Sequence, residues 1–324
     1  MFPSITDVFG VLVGQVTDEA GGTGCTVVLA PDSGMACTAF VKGRATGSRE
    51  LDACRPESLA GRVDAILLTG GSAYGLAAAD GVARWLESRK RGFVVGPGVV
   101  PIVPAAVIFD LLPCGRFDAR PTPEMGMQAC GAASTTVAEG SVGAGTGATV
   151  GKALGPLKAM KGGVGTWSVR GGEVIVGALA VVNAFGDVTD ETGAILAGAR
   201  TDSGGFVGVA SWLAKGGMTQ GAIAPPYRTS APGHHTTLVV VVTNVALGRL
   251  ALGNVARAAG DGLARRILPV GTMFDGDVVF ACAAGSIEAP PIQVEMLARE
   301  ATEMAVERAV RLAKGRDGIP GLAD

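Results

Sequence analysis

Histidine is nearly absent: the chain of 324 residues contains two, adjacent at His234 and His235. Whatever histidine chemistry exists is confined to one point of the chain. The six cysteines, at 25, 37, 54, 114, 130 and 282, include no pair at the two-residue spacing that zinc and redox sites favour. They read as small buried hydrophobes, and no transition-metal site is expected. An excess of charge of one sign is also missing. Net charge is −2, and no stretch gathers Lys and Arg with interleaved aromatics, which excludes a nucleic-acid partner. The most apolar run, 94–109, is broken by Pro97, Pro101 and Pro104, so no membrane span is predicted. The opening MFPSITDVFGVLVGQVTDE carries no basic leader ahead of an apolar core, which argues against a secretion signal and predicts a cytoplasmic protein.

What is abundant is apolar or small. Hydrophobic residues make up 48% of the chain, enough for a sizeable core, and 51 glycines signal tight turns and closely packed elements. No repeat and no linker divides the chain, which reads as one domain over 1–324. Residues 63–69 (VDAILLT) read as a buried strand, followed by the turn GGSAYG and a helix with Leu76, Ala79, Ala83 and Leu86 on one face. Further strands are predicted over 173–184, 236–243 and 278–283. Between the last two, Leu252, Val255, Ala259, Leu263 and Ile267 line a helical face. A final helix over 292–314 aligns Leu297, Ala301, Ala305, Ala309 and Leu312, with Glu295–Arg299 and Glu307–Arg311 as i,i+4 pairs and Gly315 as its C-cap. Apolar strands covered by helices with narrow, Ala-rich stripes imply a layered α/β protein.

Several segments could carry chemistry, and each also has a plain structural reading. GAGTGATVGK, 143–152, has the glycines of a phosphate cradle. The Walker pattern, however, needs Gly where Thr146 stands and Ser or Thr where Ala153 stands. GGSAYG, 70–75, nearly forms a nucleophile elbow, with Ser72 in the turn between strand and helix and Tyr74 in place of the last glycine. Ser72 is equally suited to cap the helix. His234 and His235 precede the β-branched run TTLVVVVTN and fit either a solvated turn or a working site. Asp275-Gly276-Asp277 has the composition of a turn, Lys152 that of an exposed lysine and Asn183 that of a strand end.

Taken in order, these segments carry a resemblance. ITDVFGVLVGQVTDE, LLTGGSAYGLAAADGV, VVPIVPAAVIFDL, GAGTGATVGK, TTLVVVVTNVAL and FDGDVVFA span nearly the whole chain. The sequence resembles the P1-type peptidases (peptidase family S58), which include L-aminopeptidase/D-amidases, β-peptidyl aminopeptidases and the endo-type nylon-oligomer hydrolase. The resemblance implies a four-layer αββα sandwich of the N-terminal-nucleophile type, acting on small peptides or amides without a cofactor. It also implies self-cleavage of the His235–Thr236 bond into pieces 1–235 and 236–324, assembled as a homo-oligomer. Thr236 matches the nucleophile, whose freed α-amine would serve as its own base. Asn183 matches the asparagine that stabilises the oxyanion and Lys152 the lysine near the nucleophile. Asp275 and Asp277 match the pair that orients it, and Tyr74 a tyrosine of the substrate pocket. Two features depart from relatives, in which Asn or Gly commonly precedes the cut and Ser and Glu can replace the two aspartates.

Overall fold

The computed structural model describes residues 3–217 and 235–324. The β-branched run after His235 forms the strand Thr236–Val245, buried on both faces, at the middle of a five-stranded sheet. The order across that sheet is Gly163–Gly171, Val174–Asn183, Thr236–Val245, Val278–Ile287, Ala36–Val41. The Thr236 strand runs antiparallel to Val174–Asn183 and parallel to Val278–Ile287. A parallel neighbour needs a crossover, which a long helix between the two strands supplies. A second five-stranded sheet has the order Leu12–Asp18, Thr23–Leu29, Ala65–Thr69, Ala105–Val107, Ser48–Arg49.

The described helices are α1 (Ala78–Glu87), α2 (Pro123–Gly131), α3 (Val209–Ala214), α4 (Arg249–Arg266) and α5 (Pro291–Arg311). The period-two alternation of the Thr236 strand sorts its side chains between two cores. Leu238, Val240 and Val242 pack with Val28, Ile66 and Leu68 between the sheets. Val239 and Val241 face the other way, onto Leu252, Val255 and Ala259 of α4 and Ala301, Ala305 and Ala309 of α5. Each such Val or Leu contributes roughly 1.5–3 kcal/mol by leaving water. Val27, Leu29 and Leu67 cover the outer face of the second sheet against Val82 and Leu86 of α1 and Ala129 and Cys130 of α2. Helix, sheet, sheet and helix are the expected αββα layers. The narrow alanine stripe of α5 has a visible cause: a Cβ at Gly165 would stand 2.0 Å from the Ala305 carbonyl oxygen, so strand and helix meet backbone to backbone.

Most predicted elements are present, with local corrections. Ile267 does not extend α4; it begins the short strand Ile267–Leu268, paired with Asp187–Thr189. The last helix ends at Arg311 with Leu312 at its C-cap, so Gly315 lies beyond it, and Leu312 is exposed rather than part of the stripe. Glu307 and Arg311 pair at 2.7 Å as expected, whereas Arg299 turns to Glu303, which also binds Arg265 and Arg266 from α4. Ser72 is not a capping residue: Gly71 holds the N-cap position, and Ser72 follows it in a left-handed conformation with φ of 51°. All six cysteines are free and buried. Among the described residues no helix is long and apolar enough to cross a membrane.

Candidate active site

Thr236 opens the central strand and, by the alternation that places Leu238 and Val240, faces the layer between the sheets, 3% exposed. Its hydroxyl donates to the carbonyl oxygen of His235 at 2.6 Å. The Gly276 N–H donates to the same oxygen at 2.8 Å, extending the parallel ladder by one bridge between His235 and Asp275. The carbonyl of residue 235 is thus polarised by a backbone donor while a hydroxyl stands beside it. Only glycine fits at 276, because a Cβ there would lie 2.7 Å from both Thr236 Oγ1 and the Ala45 carbonyl oxygen. The His235 ring is buried, edge-on to Phe185 with centroids 5.0 Å apart. His234 lies outside the described residues.

Asn183 ends the neighbouring strand directly opposite Thr236 in the register. It is fully buried, and its amide orientation follows from its partners. Oδ1 accepts from Thr149 N–H at 3.0 Å and from Lys152 Nζ at 2.7 Å, so Nδ2 is the opposite atom, and it donates to the Phe109 carbonyl at 3.1 Å. A carboxamide nitrogen carries two N–H donors. Lys152 reaches Asn183 because Gly151 and Lys152 bind the Gly186 and Phe185 carbonyls through their own N–H groups. Removal of its ammonium from water lowers the Lys152 pKa to about 7, against an upward pull from Asp275.

Asp275 and Asp277 flank Gly276, and both are buried. Asp275 accepts from Thr272 Oγ1 at 2.6 Å and from Thr272 N at 3.0 Å, with Phe185 N at 3.4 Å on its other oxygen. Asp277 accepts from Thr237 N at 2.6 Å and Gly271 N at 2.9 Å. Burial, together with the neighbouring Asp275 charge, holds Asp277 well above the ordinary carboxylate range. Among the described residues neither carboxylate hydrogen-bonds Thr236 itself; Asp277 holds the N–H of the residue that follows it, and Asp275 holds Thr272 and the Phe185 N–H. The composition of a turn at 275–277 therefore conceals two buried acids.

Tyr74 stands further out, 55% exposed, with the Arg120 guanidinium stacked 3.6 Å from its ring centroid. The segment 108–110 links it to the site. Ser72 N–H binds the Ile108 carbonyl and Gly71 N–H the Asp110 carboxylate, while the Phe109 carbonyl between them takes Asn183 Nδ2. The Ser72 hydroxyl meets no base among the described residues. The glycine loop 143–152 does not form an open anion cradle either. Its amides at 143, 144 and 149 are taken by Thr17 Oγ1, Thr26 Oγ1 and Asn183 Oδ1. Reading the sequence missed the Gly276 and Thr149 amides and the Phe109 carbonyl, because backbone groups carry no residue signature.

With this geometry in place, the comparisons decide the class. Residues 3–315 match the pattern of peptidase family S58. The chain belongs to peptidase family S58. It is 45% identical over 303 residues to an uncharacterized aminopeptidase of Mycobacterium tuberculosis, covering 89% of this chain and 83% of that one. It is 30% identical over 297 residues to a 6-aminohexanoate-oligomer endohydrolase of Kocuria sp., covering 87% and 75%. Among solved structures, a β-aminopeptidase of Burkholderia sp. superposes with a TM-score of 0.68 at 25% identity over 99% of this chain and 91% of that one. The L-aminopeptidase D-Ala-esterase/amidase of Ochrobactrum anthropi, described as a variant of the Ntn hydrolase fold, superposes with a TM-score of 0.71 at 19% identity over 100% and 92%. As an S58 member with these relatives, the protein is a hydrolase acting on peptide or amide bonds.

Proposed function

We propose that this S58 hydrolase is a self-processing aminopeptidase or small-amide hydrolase whose nucleophile is Thr236, released by cleavage of the His235–Thr236 bond. The observation that carries the reading is the meeting of Thr236 Oγ1 and the Gly276 N–H on the carbonyl oxygen of residue 235. In the cleavage step Thr236 Oγ forms a bond to the His235 carbonyl carbon, and the displaced π electrons rest on the oxygen that Gly276 already contacts. Collapse breaks the C–N bond, and the nitrogen leaves as an amine carrying the hydroxyl proton. Water then hydrolyses the ester and releases a chain ending at His235.

Cleavage supplies the base that the histidine-poor sequence lacks. An α-amine has a reference pKa of about 7.7–8.0, close to neutral pH, and it sits beside its own hydroxyl. In turnover the amine takes the Oγ proton, Oγ attacks the substrate carbonyl, and the Asn183 carboxamide nitrogen donates to the developing oxyanion. The Lys152 cation disfavours protonation of the amine, and Asp277, by gripping Thr237 N–H, holds the start of the strand in place. Tyr74 lines the approach of a small peptide or amide.

The two pieces would stay together because the strands of 236–324 lie inside the sheet, flanked on one side by Val174–Asn183 and on the other by Ala36–Val41. The same reading includes a homo-oligomer, favoured by an exposed apolar hairpin at Phe93–Val95 and Gly98–Val100. Denaturing mass measurement of the purified protein tests the central claim. Two fragments meeting between residues 235 and 236 are expected; a fully active preparation that remains one chain would overturn it.

A further inference from the structure

Lys161 is 1% exposed, and among the described residues no carboxylate pairs with it. Burying an ammonium in this way is costly, and desolvation lowers its pKa to about 8. Its Nζ donates to the carbonyl oxygens of Thr146 and Ala148, each at 2.8 Å. The Ala148 carbonyl and the Thr149 N–H are two ends of a single peptide group, and that N–H donates to Asn183 Oδ1 at 3.0 Å. The peptide is fixed in place by the pairing of Thr149 with Lys161 across a short ladder and by Gly162 N–H, which also binds the Ala148 oxygen at 2.9 Å.

We propose that Lys161 is a positioning residue for the hydrolase, holding and polarising the oxyanion-binding carboxamide of Asn183 through the 148–149 peptide. The inference rests on the Thr236 mechanism proposed above. A cation on the Ala148 oxygen draws electron density from the peptide and makes the Thr149 N–H a stronger donor. That N–H draws density from Asn183 Oδ1, which makes the Nδ2–H groups stronger donors in turn, since hydrogen bonds in a chain reinforce one another. Lys152 acts on the same Oδ1 directly, at 2.7 Å. The site thus has two lysines behind one amide, one in contact with it and one a peptide removed. Lys161 touches neither substrate nor nucleophile, and no sequence motif announces it.

A double-mutant cycle on the mature enzyme tests this. With an aminoacyl p-nitroanilide as probe, Lys161→Met is expected to lower kcat about tenfold, less than outright loss of an oxyanion donor. KM should stay within about twofold, because an oxyanion donor acts on the transition state rather than on ground-state binding. In an Asn183→Ala background the same substitution should cost nothing further. A lysine that merely holds the loop would impose the same loss in both backgrounds, and that result overturns the proposal. A second readout is independent of activity: the Asn183 side-chain amide protons should move upfield in Lys161→Met, and an unchanged position also overturns it. If Lys161→Met does not accumulate as folded protein, Lys161→Gln, which keeps a donor without the charge, enters the same cycle under the same criteria. Full activity in Asn183→Ala would break the mechanism itself, whereas loss in Asn183→Ala with no change in Lys161→Met removes only the positioning role of Lys161.

Discussion

Two hydroxyls in this protein stand at the ends of strands, and their surroundings differ. Ser72 follows the strand Ala65–Thr69 in a left-handed turn, as a nucleophile elbow would. Thr236 begins the strand Thr236–Val245 with ordinary extended neighbours. Backbone strain at Ser72 would draw the eye of anyone searching for a nucleophile. Yet Ser72 has no base, acid or amide donor aimed at its oxygen among the described residues, whereas Thr236 has a polarised carbonyl at 2.6 Å, Asn183 opposite in the register, and two buried acids just ahead of the neighbouring strand Val278–Ile287. The strain at Ser72 belongs to a turn, whereas the convergence of donors and charges is what supports Thr236 as the proposed nucleophile. The proposed mechanism adds the missing base through a backbone break, which is possible only for a residue that can become a chain end without unravelling its sheet.

The comparison can be broken most directly at Thr236. Thr236→Ala should remain a single chain of 324 residues in denaturing mass measurement and lose at least about 10⁴-fold in kcat/KM, the scale expected when a nucleophile is removed. Maturation or activity in that variant would end the proposal. Asn183→Ala comes next. It should lose about 10²–10³ in kcat with little change in KM, as for removal of one oxyanion donor, and steady-state kinetics on the mature form would read the split. Lys152→Met tests the electrostatics. With the lysine gone, the freed amine of Thr236 holds its proton more tightly, so its pKa rises and the acidic limb of the kcat/KM profile should move up, by less than about one pH unit because Lys152, with its pKa lowered to about 7, is only partly charged there. Asp275 works in the opposite sense, as its pull on Lys152 shows, and it is present in both forms. An acidic limb that stays in place would remove Lys152 from this role.

The layers were legible in the residues themselves. Alternating Leu238, Val239, Val240 and Val241 can bury both faces only inside a covered sheet, and the alanines at 301, 305 and 309 admit a helix at close range. Local ends were less so. Ile267 keeps the helical spacing of Leu252 to Leu263, but its backbone pairs with Asp187–Thr189, a partner about 80 residues away that no local pattern announces. The candidate site divides in the same way. Thr236, Asn183, Lys152 and the two aspartates came from an ordered family resemblance, since each alone passes for a turn or strand end. Lys161 and the Phe109 carbonyl were not legible, because their importance lies in which backbone atom meets which side chain after folding.

The smallest expected effect sharpens the comparison from its other side. Ser72 donates its backbone N–H to Ile108 and its φ of 51° is set by the turn, so its hydroxyl has no structural task among the described residues. Ser72→Ala keeps the N–H and the Cβ and removes only the oxygen. Surface-type changes of this kind cost within about 0.5 kcal/mol, and kcat/KM should stay within about threefold of the parent, with processing into two pieces unchanged. A loss of several hundredfold in Ser72→Ala, with Thr236→Ala still active, would exchange the roles of the two hydroxyls. Ser72→Gly serves as the companion variant: it relieves the left-handed backbone, so a fall in activity there as well would point to the hydroxyl itself rather than to the shape of the turn that carries Tyr74.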